Sequence, residues 1–246
     1  MATAARTPLQ TDPLADRVER LAWNSIEGQL EALGYATTGP LLTPAECRRI
    51  TSLYDDPARF RRRIVMQRHA YGEGEYQYFA YPLPEVVAGL RHAAYPKLAP
   101  IANRWQGQLG LRGAYPEHLE GFLTRCHDAG QTKPTPLLLK YGPGDYNRLH
   151  QDLYGALHFP LQMAILLSVP GTDFEGGEFV LTEQRPRTQS RVEVVPLQQG
   201  EAVIFAVNFR PGRGARGHYR LAMRHGVSRV RAGSRYTLGI IFHDAA

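Results

Sequence analysis

An α+β fold is predicted, in which an antiparallel barrel or double-sheet jelly roll carries helices packed over one outer face. Two textures and their continuity support this. Up to about residue 134, apolar residues recur at three- and four-residue spacing; after Pro136, short strand-like runs alternate with Gly- and Pro-bearing turns. No repeat or low-complexity linker separates them. Residues 1–134 are therefore expected to form a mainly helical N-terminal region and residues 135–246 the β unit, the two folding as one cooperative body.

Along the chain, "DPLADRVERLAWNSIEGQLEALG" places Leu14, Val18, Leu21, Ala22, Ile26, Leu30 and Leu33 on one helical stripe, predicting a single amphipathic helix that ends at Gly34. "YATTGPLL" reads as a short strand and turn. In "TPAECRRITSLYDD", Thr43 is an N-cap, Pro44 the first helical residue and Glu46 the third, so a second helix starts there. Two more helices are expected around "EVVAGLRHAAYPKLAPIANRWQ", bent near Pro96 and Pro100, and "PEHLEGFLTRCHDA", with Trp23 and Trp105 as packing residues. The strand candidates are "PLLLKY", "QMAILLSV", "GEFVLTEQ", "SRVEVVPL", "EAVIFAV", "HGVSRV" and "RYTLGIIFH". The two glycines of "EGGEF" are expected to make a hairpin turn.

Composition narrows the function classes. At 246 residues and 43% hydrophobic, the chain can bury a substantial core. It has no run of 18 apolar residues and no apolar signal core near its start, so a cytoplasmic location without a membrane partner is expected. Cys47 and Cys126 stand apart from each other, which fits a reducing compartment and excludes a thiolate zinc knuckle. Twenty-nine Lys and Arg against 23 Asp and Glu give a net charge of +6, compatible with a polyanionic partner.

The chemistry concentrates in "YGPGDYNRLHQDLYG". His150 and Asp152, two residues apart, project to one side of an extended chain and can grip one cation. A third ligand must come from far along the chain, from among His158, His218, His225 and His243. His225 is preferred because it heads the strand-like "HGVSRV" ten residues before Arg235, with His218 its rival in a Gly- and Arg-rich loop. Two His and one carboxylate with open positions form the facial triad of non-haem Fe(II) oxygenases.

The order His150-x-Asp152, His225, Arg235 resembles the Fe(II)- and 2-oxoglutarate-dependent dioxygenase superfamily over residues 135–244. The resemblance implies a double-stranded β-helix jelly roll, Fe(II) held by His150, Asp152 and His225, 2-oxoglutarate and O2 as co-substrates, and Arg235 paired with the far carboxylate of 2-oxoglutarate. "KYGPGDYNRLHQD" is similar to the AlkB-type nucleic-acid demethylases, which implies that Tyr141 hydrogen-bonds 2-oxoglutarate and that Arg229 joins Arg235 as a paired arginine. Leu139 stands where that family has Asn. The short interval from His225 to Arg235, and "FEGGEFVL", look more like prolyl-hydroxylase-type oxygenases. The whole chain looks most like the bacterial group of the superfamily described as oxidative demethylases of damaged DNA.

Two basic stretches bear on the substrate. "RFRRRIVMQRHAYGEGEYQYFAYPLP", residues 59–84, interleaves arginines with Tyr71, Tyr76, Tyr78, Phe79 and Tyr81, a composition suited to single-stranded nucleic acid or a flipped base. Arg68, Tyr76 and Tyr78 are its candidate substrate contacts, although the alternation of Tyr76 and Tyr78 also fits a buried strand face. "NFRPGRGARGHYR" offers Arg210, Arg213, Arg216 and Arg220 as a lid or an exposed hairpin, with Arg213 and Arg216 as candidate contacts. Two readings compete with nucleic-acid demethylation: a protein hydroxylase of prolyl-hydroxylase type, and a non-enzymatic nucleic-acid- or sugar-binding jelly roll. The sequence leaves a protein partner open.

Overall fold

Strict alternation of inward and outward side chains organises the β core. The structure, a computed structural model, describes residues 12–215 and 217–246. The first half contains α1 (Leu14–Glu19), α2 (Trp23–Leu33), β1 (Tyr35–Pro40), α3 (Pro44–Ser52), β2 (Phe60–Val65), β3 (Gly72–Glu73), β4 (Glu75–Phe79), α4 (Glu85–Gln108) and α5 (Leu119–Asp128). The second contains β5 (Leu137–Tyr141), β6 (Tyr146–His150), β7 (Leu161–Leu166), β8 (Phe174–Gly176), β9 (Phe179–Gln184) and β10 (Arg191–Val195). It ends with β11 (Glu201–Ala206), β12 (Phe209–Gly214), β13 (Gly217–Val227), β14 (Val230–Gly233) and β15 (Arg235–Ile240).

A seven-stranded sheet has the order β1-β11-β7-β15-β5-β4-β2. It faces a sheet ordered β10-β9-β13-β6-β3, with β12 paired to the first part of β13 and β8 paired to β14 as a separate ribbon. On the larger sheet, Leu138, Met163, Ile165, Ile204, Leu238 and Ile240 point outward and pack under Ile26, Leu30, Leu90, Leu98, Trp105 and Phe122 of the helices. Their neighbours in sequence point inward: Ala164, Leu166, Val203 and Phe205 meet Phe179 and Leu181 of the other sheet, while Tyr76, Tyr78, Leu137 and Tyr141 form a second inner cluster. Each fully buried aliphatic side chain contributes about 1.5–3 kcal/mol of transfer free energy, so the two faces of this sheet supply most of the driving force.

Several elements depart from the sequence reading. The expected helix over 12–34 is two helices, because the carbonyl of Val18 accepts from the Leu21 N–H (3.2 Å) and the Trp23 indole (2.9 Å) instead of continuing the ladder. Gly34 does end α2, in the left-handed region at φ 78°. The Thr43–Glu46 capping box and Pro44 begin α3 as expected. Helix α4 runs without a break through Pro96 and Pro100. The missing proline N–H groups free only the carbonyls of His92 and Pro96, on the outer side of the helix, where water reaches them.

Residues 59–84 are not part of a helical annex. β2 and β4 extend the larger sheet and β3 the smaller, so the division at 134 falls between hydrogen-bonded neighbours β4 and β5. β12 and the first part of β13 pair as a long hairpin, which places His225 near the end of a strand and not at its head. Cys47 and Cys126 are buried free thiols. Among the described residues no helix is long and apolar enough to cross a membrane.

Arg210, expected in a basic loop, is buried at the base of this hairpin. Its Nε donates to Glu183 (2.8 Å), and its terminal nitrogens donate to the carbonyls of Glu31 (2.9 Å) and Ala32 (3.0 Å) at the C-terminus of α2. A side chain at Gly34 would stand 2.7 Å from the Arg210 Cδ, so this glycine also makes room for the arginine. Arg210→Ala strands the Glu183 carboxylate in the interior and is expected to cost about 3–5 kcal/mol in urea unfolding. Exposed Arg213→Ala should stay within about 0.5 kcal/mol of the parent in the same assay.

Candidate metal centre and its pocket

Antiparallel pairing of β13 with β6 sets His225 directly opposite His150. Their rings lie 4.2 Å apart between centroids. Asp152 follows two residues after β6 ends, in a segment pinned by Gln151, whose amide donates to the carbonyls of Met223 (2.8 Å) and Asn208 (3.1 Å). One ligand atom from each of His150, Asp152 and His225 falls within 4.8 Å of the others. The His150 Nε2 lies 3.4 Å from one Asp152 oxygen and the His225 Nε2 lies 3.3 Å from the other.

The orientation of each ligand has a local cause. The His150 Nδ1 donates to the Arg148 carbonyl (2.7 Å), which turns its Nε2 lone pair toward the cluster. The His225 ring is held by packing between Phe205 and Phe179, at centroid distances of 4.6 and 6.0 Å. The Tyr154 hydroxyl donates to an Asp152 oxygen at 2.6 Å. Burial acts to raise the Asp152 pKa, but His150 and His225 outweigh it and hold the carboxyl well below the usual range. Burial likewise works against a charged His150, yet Asp152 raises its pKa; burial and the neighbouring His150 lower that of His225. A carboxylate and two imidazoles converging in this way offer a cation one charged and two neutral donors, with the remaining sides facing a pocket of ≈ 430 Å³.

Arg235, only 2% exposed, lines the same pocket. Its terminal nitrogen donates to Thr237 (2.6 Å), while its Nε has no hydrogen-bond partner. Among the described residues no carboxylate forms an ion pair with it. Burial lowers its pKa to about 10, so it remains cationic at neutral pH. Tyr141 lies opposite Arg235 across β5 and β15, fully buried, with its hydroxyl unpartnered. Gln162 adds a third orphan, a buried side-chain oxygen on the pocket wall. Buried polar groups normally find partners, so two donors without one, the Arg235 Nε and the Tyr141 hydroxyl, beside a metal-type cluster suit a small anionic ligand, while the Gln162 oxygen, an acceptor, suits a donor.

The structure therefore brings His150, Asp152, His225, Arg235 and Tyr141 together, and Tyr76 and Tyr78 line the pocket as buried wall residues. Arg229 does not join them. It is exposed, donates to the Gly144 carbonyl (2.8 Å) and sits over Tyr146, because β14 turns away to pair with β8. Arg68 and Arg213 are exposed and away from the pocket lining, and Arg216 lies outside the described residues. The rival histidines are accounted for: His218 is exposed in the hairpin, His158 contacts Asn208, and His243 is a core residue accepting from the Phe159 N–H, its pKa pushed down by burial to about 3. Sequence reasoning missed Tyr154, although the two-residue step from His150 to Asp152 leads on to it. It also missed Gln162, a lone polar residue inside the apolar run "LQMAILL".

The "EGGEF" glycines are not a hairpin turn; they carry the chain from the β8–β14 ribbon to the smaller sheet. A Cβ on Gly176 would lie 2.4 Å from the Arg229 carbonyl oxygen, and one on Gly177 2.8 Å from the Arg235 Cδ. Close approach to Arg235 requires glycine here.

Comparison with known proteins agrees with this geometry. A family model, Oxygenase-NA, described as an oxygenase catalysing oxidative methylation of damaged DNA, matches residues 74–245. An uncharacterized protein of Mycobacterium tuberculosis is 52% identical over 168 residues, covering 68% of this chain and 72% of that protein. Among solved structures, a prolyl-4-hydroxylase of Pseudomonas putida is similar with a TM-score of 0.53 at 14% identity, covering 91% of this chain and 99% of that one. An oxidoreductase of the 2OG-Fe(II) oxygenase family from Burkholderia pseudomallei gives 0.52 at 17% identity, covering 92% and 94%. These two likenesses concern the fold, and they bear out the jelly roll with helices on one face.

Gly177, at φ 63°, supplies a direct test of how Arg235 is held. Gly177→Ala is expected to destabilise the fold by more than about 1 kcal/mol in urea unfolding, because the new methyl group meets both Arg235 and Val230.

Proposed function

The chain belongs to the Oxygenase-NA family, and from that membership we propose that it is an Fe(II)- and 2-oxoglutarate-dependent dioxygenase that oxidises N-alkyl groups of damaged nucleic acid. The observation that carries the reading is the buried, unpaired Arg235 in the same pocket as His150, Asp152 and His225. An uncompensated interior guanidinium costs several kcal/mol, and a dicarboxylic co-substrate bound beside the metal offsets that cost.

His150, Asp152 and His225 hold the Fe(II). Arg235 grips the far carboxylate of 2-oxoglutarate, its planar fork suited to two parallel hydrogen bonds, and the Tyr141 hydroxyl donates to the same ligand. Tyr154 fixes the rotation of the Asp152 carboxylate. Phe179, Leu137 and Val227 line the pocket and keep bulk water from the reacting centre. Bound together, Fe(II), 2-oxoglutarate and O2 supply the oxidation of a substrate C–H bond, with succinate and CO2 as the co-products. The family's description supports nucleic acid as the substrate. A second reading, hydroxylation of an extended peptide, draws on β2 being an edge strand of the larger sheet with a free side for strand addition.

Product analysis separates the readings. With Fe(II), 2-oxoglutarate, O2 and methylated single-stranded DNA, the demethylase reading expects formaldehyde in step with succinate, and Asp152→Ala abolishes both. Succinate alone sends the search to peptide substrates, and neither product favours a binding module. Arg235→Ala should raise the KM for 2-oxoglutarate by more than about 30-fold, as loss of one side of a buried charge pair does. Tyr154→Phe should weaken metal binding by about 10- to 100-fold in titration calorimetry while leaving the fold intact, as loss of a ligand-orienting hydrogen bond does.

A further inference from the structure

Strand β2 lies between two depressions that share its arginines. On the inner side, Arg61, Arg62, His69 and Tyr71 rim the metal pocket. On the outer side, Arg61, Arg62, Arg63 and Lys140 line a groove of ≈ 580 Å³ together with Tyr54 and Phe60, four cations against the carboxylates of Asp55 and Glu75. Arg61 and Arg62 thus line both the groove and the metal pocket.

The cations differ in how far they are already engaged. Arg59 pairs with Asp56 and Arg63 with Glu75, while the Arg61 Nε donates to the Pro134 carbonyl (2.8 Å) and its guanidinium lies 4.6 Å from the Tyr78 ring centroid. Arg62 is exposed and has no carboxylate partner among the described residues. Charged residues on an edge strand also guard against strand-to-strand aggregation, and that role alone accounts for arginines paired within the chain. It accounts less well for an unpaired arginine at the lip of a pocket.

An aromatic platform stands at the same mouth. Tyr71 is 50% exposed and stacks on His69 with ring centroids 5.3 Å apart at 22°. The backbone beneath the pair is tied to β6: the Tyr71 carbonyl accepts from the Arg148 N–H (2.8 Å), and β3 pairs with β6, the strand that ends in His150. A flat, half-exposed ring on the same pocket as an exposed arginine without a carboxylate partner is the combination that holds unpaired bases, the ring taking a base face and the cation a phosphate.

Resting on the nucleic-acid reading above, we propose that this rim seats a single strand, with one base stacked on Tyr71 beside the nucleotide that enters the pocket and the backbone crossing β2 over Arg62 toward Arg61 and Lys140. A duplex fits poorly. The pocket is walled by Tyr76, Tyr78, Leu137 and Phe179, so a base reaches the metal cluster only when it is unpaired.

Binding by the metal-free full chain isolates the seat from catalysis. Fluorescence anisotropy with a short labelled single-stranded oligonucleotide should show saturable binding at least about tenfold tighter than to the matched duplex. Arg62→Ala should reduce the slope of log affinity against log salt by about 0.7. Tyr71→Ala should weaken binding by about 5- to 150-fold with the slope unchanged, and Tyr71→Trp should retain it. No saturable binding, equal affinity for duplex, or parental behaviour in both Arg62→Ala and Tyr71→Ala overturns the proposal; displacement of the strand by an extended peptide reassigns the rim to peptide. Formaldehyde release from methylated DNA with unaffected binding in both variants would sink the seat and spare the demethylase reading. The predicted binding without any formaldehyde would do the reverse.

Discussion

The register of β13 on β6 is the constraint from which the site follows. A slip of one residue would turn His225 away from His150 and send every inward side chain of β13 to the other face. Strand β6 is short and only partly buried, so its own side chains specify that register weakly. Backbone fit does more. A Cβ on Gly226 would lie 2.7 Å from the Asn147 carbonyl oxygen, so this glycine lets the strands close up immediately beside the two histidines. Gln151 then ties the following loop to the Met223 and Asn208 carbonyls, which carries Asp152 into reach. Three candidate ligands from different parts of the chain thereby converge on one point.

Arg235 and its neighbours show a different economy. The alternation of β15 sends Leu238 and Ile240 outward to the helices, and the same alternation turns Arg235, Thr237 and Gly239 into the pocket. A cation in that phase is unfavourable for folding alone, and among the described residues no carboxylate forms an ion pair with it. The chain supplies a hydroxyl at Thr237, a ring at Tyr141 5.6 Å away and a glycine at 177 that leaves room for the stem. A buried charge held this way is a local cost to stability, of the kind found where a charge must sit in a fixed place.

What was legible in the sequence was whatever local spacing specifies. Strand alternation, the capping box at Thr43, the His150–Asp152 step and the approach of Arg235 after His225 each depend on neighbours a few residues apart, and each is present in the structure. Features set by tertiary contacts were not legible. The break between α1 and α2 depends on an indole hydrogen bond to Val18; burial of Arg210 depends on Glu183 and the end of α2; the exclusion of Arg229 depends on β14 pairing with β8. In residues 59–84 the alternation of Tyr76 and Tyr78 showed a strand face that the structure does bury, but neither it nor the composition identifies a sheet edge. Only the pairing of β4 with β5 turns that composition into a wall and a rim of the pocket.

That last arrangement separates chemistry from recognition. The groups facing the reaction, His150, Asp152, His225, Arg235 and Tyr141, all belong to strands or loops of the second half and point into the space between the sheets. The residues of the proposed seat, Arg61, Arg62, His69 and Tyr71, come from β2 and the turn leading to β3, at the edges of the two sheets. An inward residue cannot change without disturbing packing or the ligand set, whereas an exposed edge residue is free of both constraints. One jelly roll can therefore keep the same oxidative centre while its edge segment selects a peptide in one protein and a nucleic acid in another, so fold similarity carries little information about the substrate. In this chain the edge presents an arginine without a carboxylate partner among the described residues and a half-exposed stacked tyrosine on the same pocket, so the proposed substrate seat rests on these two side chains and not on the metal-type cluster.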